Sequence, residues 1–125
     1  MKITVETVDH EQQAYDTVGN WRFADDGSLA ITVSQLGDYR YNALIAVHEL
    51  IEALLCKYDG VDQNAVDRFD IEFEKNRDGG NFDEPGMESD APYYMQHRIA
   101  DAIERLLAVQ LGVDWNDYDK KVNSL

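Results

Sequence analysis

The segment from residue 41 to residue 56 is an apolar stretch that carries three ionisable side chains. Apart from Asn42, its polar residues are His48, Glu49 and Glu52. On a helix of roughly 100° per residue, His48 and Glu52 lie one turn apart on the same face. Leaving an imidazole and a carboxylate unpaired on an apolar face costs several kcal/mol. They must therefore be hydrogen-bonded, shifted in protonation or bound to a metal, and we favour a metal.

Length and composition indicate one domain. A chain of 125 residues with 44% hydrophobic content can bury a core without disulfides, so we expect residues 1–125 to form a single domain. The only cysteine, Cys56, lies in the apolar segment and is expected in the core, as in proteins of a reducing compartment. The first residues alternate like a strand, and no apolar run approaches the roughly 20 residues of a membrane span. We predict a cytoplasmic protein.

The charge balance restricts the partners. A formal net charge of -14 repels phosphate backbones, so we expect no nucleic-acid partner. The same charge attracts cations. A surface of spaced carboxylates could also imitate DNA toward a basic protein, and this stays open as a rival explanation.

The N-terminal third is typical of a sheet. Trp21-Arg22-Phe23 and Leu29–Ser34 flank a turn at residues 25–28, while Ile3 and Val5 alternate with polar neighbours. Residues 10–19 are polar and predict a loop. We expect an α+β fold in which a small N-terminal antiparallel sheet, built on this hairpin, packs on three helices.

The three helices are predicted at residues 39–58, 62–77 and 90–112, with a short closing helix near residues 114–118. Asp38 and Gly60 should cap the first helix. Asp90 should cap the third, with Pro92 in its first turn. That third helix should turn four apolar side chains toward the core, with His97 at the margin of their stripe: Ile99, Ile103, Leu106 and Leu107. Between the second and third helices, the acidic, glycine-rich residues 78–90 predict an exposed loop that could cover a site.

These placements suggest a metal site built from two helices. His48 and Glu52 offer two ligands from one helix, and His97 could add a third from another. Three protein ligands leave a position for water, whose pKa a metal lowers toward about 7. Glu49, beside His48, could accept the proton of that water.

Several further residues are candidates for supporting roles. Asp101 and Glu104 lie near His97 on the helical wheel, as second-shell groups or as replacements for His97 as third ligand. Asp70 and His10 are other replacements, although His10 is expected to be simply exposed. Tyr94, with Tyr93, could donate a hydrogen bond to an oxyanion, or simply pack at the helix start.

The strand Leu29–Ser34 followed by the helix with His48-Glu49-Leu50-Ile51-Glu52 resembles the core of zincin metallopeptidases. The resemblance covers roughly residues 28–56. It implies that His48 is a ligand, that Glu49 is the general base and that the strand lines the substrate. The zincin pattern has a second histidine where this chain has Glu52, a competent ligand that weakens the Lewis acidity of the metal. The chain also resembles small phage and prophage proteins with a His-Glu-Leu-x-Glu helix.

From the sequence we therefore expect a metal-dependent hydrolase, zinc as the metal, and a peptide or protein substrate. Three alternatives stay open. The polar residues could form a structural cluster without metal. The chain could be a non-enzymatic acidic phage-type binding or inhibitor protein. Two histidines and one carboxylate also match the facial triad of non-haem iron oxygenases, which usually lies on a β-barrel.

Overall fold

A computed structural model of the protein describes residues 1–77, 79 and 82–125. The fold is α+β, with a three-stranded sheet in the N-terminal third and helices after it, as predicted. The strands are β1 (Ile3–Val8), β2 (Gly19–Phe23) and β3 (Leu29–Ser34). The helices are α1 (Tyr39–Asp59), α2 (Gln63–Lys75), α3 (Tyr94–Gln110) and α4 (Trp115–Asn123).

The sheet has the strand order β1-β3-β2. The predicted hairpin is confirmed, because β2 pairs antiparallel with β3 across the turn. The expectation of a wholly antiparallel sheet is wrong, since β1 pairs parallel with β3 and the sheet is mixed. β3 is thus the central strand, and Leu29, Ile31 and Val33 on one of its faces are buried under α1.

α1 begins and ends almost where its sequence predicts. The Asp38 side chain accepts a hydrogen bond from the backbone N–H of Arg40, and Gly60 ends the helix with φ of 72°. Glycine adopts this left-handed backbone conformation without steric cost. The helix lies across β2 and β3 and packs most extensively against α3, so α1 is the central element of the core.

The prediction for α3 is wrong in two respects. The helix begins at Tyr94, because Asp90 and Pro92 belong to a preceding turn. Its buried residues are His97, Ala100, Glu104 and Ala108. Three of the residues expected in the core, Ile99, Ile103 and Leu106, are exposed, while Leu107 is half-buried against the core. The small alanines allow α3 to approach α1 closely, and the polar residues between them are satisfied by hydrogen bonds, so the larger apolar side chains point outward.

The predicted acidic loop lies partly outside the described residues, which omit Asp78, Gly80 and Asn81. Its later part forms a short 3-10 helix, Pro85–Met87, that packs against α3. Within the described chain, no helix combines the length and apolar character needed to cross a membrane.

Candidate metal centre

His48, Glu52 and His97 meet in the buried contact between α1 and α3. His48 Nε2 lies 3.1 Å from His97 Nδ1 and 3.2 Å from Glu52 Oε2. His97 Nδ1 lies 3.0 Å from the same Glu52 oxygen. The three residues are each no more than 6% exposed. Two distant parts of the chain therefore present two imidazole nitrogens and one carboxylate oxygen at the corners of a nearly regular triangle.

The dimensions of this triangle suit a metal ion. With metal–ligand bonds of about 2.05 Å, neighbouring ligand atoms lie about 2.9 Å apart in an octahedral site and about 3.3 Å apart in a tetrahedral one. The observed separations of 3.0 to 3.2 Å fall between these values. The three residues could therefore hold a metal ion.

His48 is held in place by a chain of buried hydrogen bonds. Its Nδ1–H donates to Glu104 Oε1 at 2.7 Å, and Tyr118 donates its hydroxyl hydrogen to Glu104 Oε2 at 2.6 Å. A carboxylate only accepts hydrogen bonds, so Glu104 fixes the proton on Nδ1 and leaves the lone pair of Nε2 facing the triangle. Metal-binding histidines are oriented in the same way, by a carboxylate on their second nitrogen.

His97 and Glu52 are held by comparable contacts from other elements. His97 Nε2 is buried and makes an ion-pair contact of 2.7 Å with Glu84 Oε2. Glu52 Oε1 accepts a hydrogen bond of 3.0 Å from the Trp21 indole N–H. Each of the three candidate ligands is thus oriented by a further side chain through the atom that does not face the triangle.

Gly86 allows the 3-10 turn to lie directly on the His97 ring. A Cβ atom at this position would lie 2.4 Å from Cγ and 2.6 Å from Nδ1 of His97. Real Cβ atoms do not approach so closely, so any side chain would displace the ring or the turn. Glu84 lies two residues earlier in this segment, which brings both the carboxylate and the close backbone contact to His97.

The arrangement places three electron pairs in a small volume. If Glu104 and Glu84 fix the outer protons of the two imidazoles, the inner nitrogens are unprotonated and face a carboxylate oxygen. Such a cluster is repulsive until a cation or additional protons occupy its centre. A divalent cation would neutralise all three atoms at once, whereas protons would place two N–H donors 3.1 Å apart.

The pKa values of the three residues reflect this competition for protons. Burial disfavours charge on the imidazoles, but carboxylates outweigh it: contacts with Glu104 and Glu52 raise the pKa of His48 well above its usual value. Contacts with Glu52 and Glu84 likewise outweigh burial and raise the pKa of His97 to about 9. Burial opposes ionisation of Glu52 also, yet its two histidine partners lower its pKa to about 2. Protons and a metal ion therefore compete for the same three atoms.

Glu49 lies beside this cluster and has no hydrogen-bonding partner among the described residues. Its side chain packs on β2, where a Cβ atom at Gly19 would lie 2.7 Å from both Cγ and Oε1 of Glu49. Burial and then repulsion by Glu52 raise the pKa of Glu49 well above its usual value. Glu49 and the three candidate ligands line one cavity of about 270 Å³. A half-buried carboxylate with a raised pKa is typical of a proton-transfer group.

Asp70 from α2 adds a second carboxylate to the wall of this cavity. It accepts hydrogen bonds from the hydroxyl groups of Tyr15 and Tyr93, the former at 3.0 Å. Burial raises the pKa of Asp70 to about 7, although the bond from Tyr93 partly opposes the shift. The Tyr93 ring in turn meets the His97 ring edge to face, at 6.0 Å between centroids. Asp70 is therefore a neighbour of the cluster rather than one of its three members.

The remaining predicted residues are not members of the three-residue cluster. Asp101 pairs with Arg105 on the surface of α3, and the Tyr94 hydroxyl accepts a hydrogen bond from Arg98. Of these two neighbouring tyrosines, Tyr93 lines the cavity and Tyr94 does not. His10 is half-buried rather than simply exposed, and bonds to Ser34 and Asp16. Ser34 is fully buried, and His10 and Asp16 also line the cavity.

Sequence reasoning missed Trp21, Glu84, Gly86 and Tyr118. Trp21 carried a usable signal, since a tryptophan on the inward face of a strand needs an acceptor for its indole N–H. Tyr118 lies in the closing helix, where nothing in the sequence connects it to Glu104. Glu84 and Gly86 lie in an acidic loop, and the sequence pattern does not show which loop residue faces a helix.

The sheet does not support the role that the zincin resemblance implies for the strand Leu29–Ser34. β3 is paired on both sides, by β1 and β2, so Leu29–Ser34 cannot hold a substrate through backbone hydrogen bonds. Comparison with protein-family models, with curated proteins and with solved structures found no match to this chain.

Proposed function

We propose that the protein is a metal-dependent hydrolase whose metal is bound by His48 Nε2, Glu52 Oε2 and His97 Nδ1. The observation that carries this proposal is the triangle of 3.0 to 3.2 Å, in which the outer atom of every member is in contact with another side chain. Zinc is the metal we favour, because it accepts mixed nitrogen and oxygen ligands and tolerates three protein ligands plus water. A metal-bound water is acidified and becomes a nucleophile near neutral pH.

In this proposal Glu49 is the general base. It lines the same cavity as the ligands and follows His48 directly in α1. Its carboxylate is free of hydrogen bonds within the described structure, so it can accept a proton from water. Gly19 supports this role, because it leaves room for the Glu49 side chain between the strand and the helix.

The substrate edge in this proposal is β2 instead of β3. β2 is an edge strand, and its residues Gly19, Asn20 and Trp21 line the cavity. Ser34 N–H bonds to Val18 O, so by strand alternation the N–H and C=O of Trp21 point away from β3. An extended peptide or amide could pair with these groups and bring its carbonyl to the metal.

The test combines metal analysis with a Glu49→Gln variant. We expect about one equivalent of zinc, or of another divalent metal, and cleavage of an unfolded protein or a fluorogenic peptide pool. Glu49→Gln should retain the metal and lose at least about 100-fold in rate. Glu72→Gln, an exposed change of the same type on α2, is the matched control and should keep full activity. Equal hydrolysis by Glu49→Gln would reject the role of the base.

A second candidate is an acidic binding or inhibitor protein in which the same residues only stabilise the fold. The specific observation in its favour is that Glu52 Oε2 lies within hydrogen-bond distance of both imidazoles, so a protonated cluster can be satisfied without metal. The net charge of -14 suits a basic protein partner. Under this hypothesis, the protein contains no metal and chelators leave its melting temperature unchanged.

A further inference from the structure

β1 is an edge strand that is exposed on both of its faces. All residues from Ile3 to Thr7 are exposed, including Ile3 at 45% and Val5 at 54%. β1 pairs with β3 along one edge, and no described strand pairs with the other. An open edge with apolar side chains is a template for another strand, and proteins usually cover it or block it with charge.

The apolar side chains of β1 continue the core face of the sheet. In the parallel register Ile3 lies beside Leu29 and Val5 lies beside Ile31, two residues that are each only 1% exposed. Neighbours in register share a face, so Ile3 and Val5 belong to the face that α1 covers. However, α1 lies over β2 and β3 and scarcely reaches β1. The core face of the sheet therefore extends one strand beyond the part that α1 covers.

The backbone of β1 determines which of its groups are available. Lys2 O accepts a hydrogen bond from Leu29 N–H, and Val8 O accepts one from Gln35 N–H. The even-numbered residues of the strand thus point their backbone groups toward β3. Because these groups alternate along a strand, the N–H and C=O of Ile3, Val5 and Thr7 point to the open edge.

From these observations we propose that β1 pairs antiparallel with β1 of a second copy of this chain, about a two-fold axis at Thr4. In this register Ile3 lies opposite Val5 of the second copy, and their outward backbone groups form a hydrogen-bonded pair. Lys2 lies opposite Glu6 of the second copy, once on each side of the axis. The three-stranded sheets of the two copies then form one continuous six-stranded sheet.

The charge pattern selects both the occupant and the register. The segment Lys2-Ile3-Thr4-Val5-Glu6 is self-complementary when reversed, with opposite charges at its ends and apolar residues between them. Opposite charges and apolar pairs directly across from each other stabilise antiparallel strands. If one β1 strand shifts by two residues along the other, both Lys2–Glu6 pairs are lost. If it shifts by one residue, the outward backbone groups of one strand no longer lie opposite the outward groups of the other. The edge is locally neutral, although each copy carries a charge of -14.

The contact is small, so the dimer should be weak. Interfaces below about 1,200 Å² belong to transient complexes, and salt near 0.15 M limits repulsion to about 8 Å. We expect sedimentation equilibrium of the full chain with a C-terminal tag to show a monomer–dimer equilibrium in the range of about 10 to 500 µM. A protein that is monomeric throughout this range would overturn the proposal.

A charge exchange tests the register. Lys2→Glu alone and Glu6→Lys alone should each weaken dimerisation by about tenfold or more, because each places like charges opposite each other at two positions. An equimolar mixture of these two variants should form heterodimers at least as tightly as the unaltered protein. The double variant should also recover. Lys120→Glu, an exposed change on α4 with the same effect on net charge as Lys2→Glu, is the control and should leave the dimer intact.

A second variant tests the backbone pairing. Val5→Pro removes an N–H that points to the open edge, and proline is tolerated at such positions of edge strands. It should abolish the dimer and leave the far-ultraviolet circular dichroism spectrum unchanged. Dimers that persist in Val5→Pro, or whose affinity does not change in the single variants Lys2→Glu and Glu6→Lys, would show that another surface mediates dimerisation. Either result would overturn the proposal.

Discussion

Glu104→Gln tests the metal site through a residue that does not touch the metal. The substitution keeps the shape of the side chain and removes its charge. Its amide oxygen can still accept the hydrogen bond from His48 Nδ1–H, and its NH2 group can donate to the Tyr118 hydroxyl oxygen. The buried network therefore survives, and we expect the variant to fold.

The magnitude follows from the 2.7 Å bond between His48 Nδ1 and Glu104 Oε1. This bond makes the other nitrogen of His48 a stronger donor to a metal. Loss of a carboxylate that accepts the hydrogen bond of a metal-binding histidine typically weakens metal affinity about 10- to 100-fold, or about 1.4 to 2.7 kcal/mol. Zinc affinity measured by competition with a chromogenic chelator should fall by this factor.

Asp101→Asn is the matched control, because it removes one negative charge from the same helix at a residue that pairs with Arg105 on the surface. It should change the zinc affinity by less than about twofold. If Glu104→Gln binds zinc as tightly as Asp101→Asn, or if both lose affinity equally, the hydrogen bond to His48 does not support a metal ligand and the reasoning fails.

Three further predictions concern the same cluster. Gly86→Ala should push the His97 ring away and weaken zinc binding at least tenfold. Gly79→Ala is the control, because a Cβ atom there would meet open space, and it should not weaken zinc binding. Equal affinities of the two variants in the chelator assay would refute the contact between Gly86 and the His97 ring. Trp21→Phe should weaken zinc binding about tenfold by freeing Glu52 Oε1, a loss that calorimetric titration would detect and that an unchanged binding constant would exclude. The third prediction concerns pH. The pKa of Glu52 is lowered to about 2, so Glu52 stabilises the metal-free fold above pH 4.5. The pKa of His97 is raised to about 9, so His97 stabilises the metal-free fold below pH 6.5. The unfolding free energy of metal-free protein should thus be highest between these values and decline toward pH 9, whereas zinc-induced stabilisation should grow over pH 6.5 to 9; parallel curves in urea titrations would contradict this.

The features that the sequence predicted well are those encoded locally. Asp38 and Gly60 mark the ends of α1 by capping chemistry, and the spacing of His48 and Glu52 follows from helical geometry alone. The structure also brings His97 to His48 and Glu52, as expected, although the apolar stripe from which its position was predicted faces solvent.

The features that were missed depend on how elements pack. Ile99, Ile103 and Leu106 form the stronger apolar stripe of α3, yet they face solvent. Close packing through Ala100 and Ala108 and the satisfied hydrogen bonds of Glu104 outweigh the burial of larger side chains. Helical periodicity identifies a stripe but does not decide which stripe faces the neighbouring helix.

The sheet illustrates the same limit. The hairpin of β2 and β3 is encoded by its turn, but the parallel addition of β1 on the far side of β3 is a non-local pairing that no local pattern indicates. This pairing places β3 in the centre, moves the candidate substrate edge to β2 and leaves β1 open.

The central claim is that one metal ion is bound between α1 and α3 by three specific atoms. The direct measurement is a crystal structure of the zinc-soaked protein with anomalous diffraction recorded at the zinc edge. The account predicts one strong peak about 2.0 to 2.2 Å from His48 Nε2, His97 Nδ1 and Glu52 Oε2. A cluster without a peak, or zinc bound only by surface carboxylates, would contradict it.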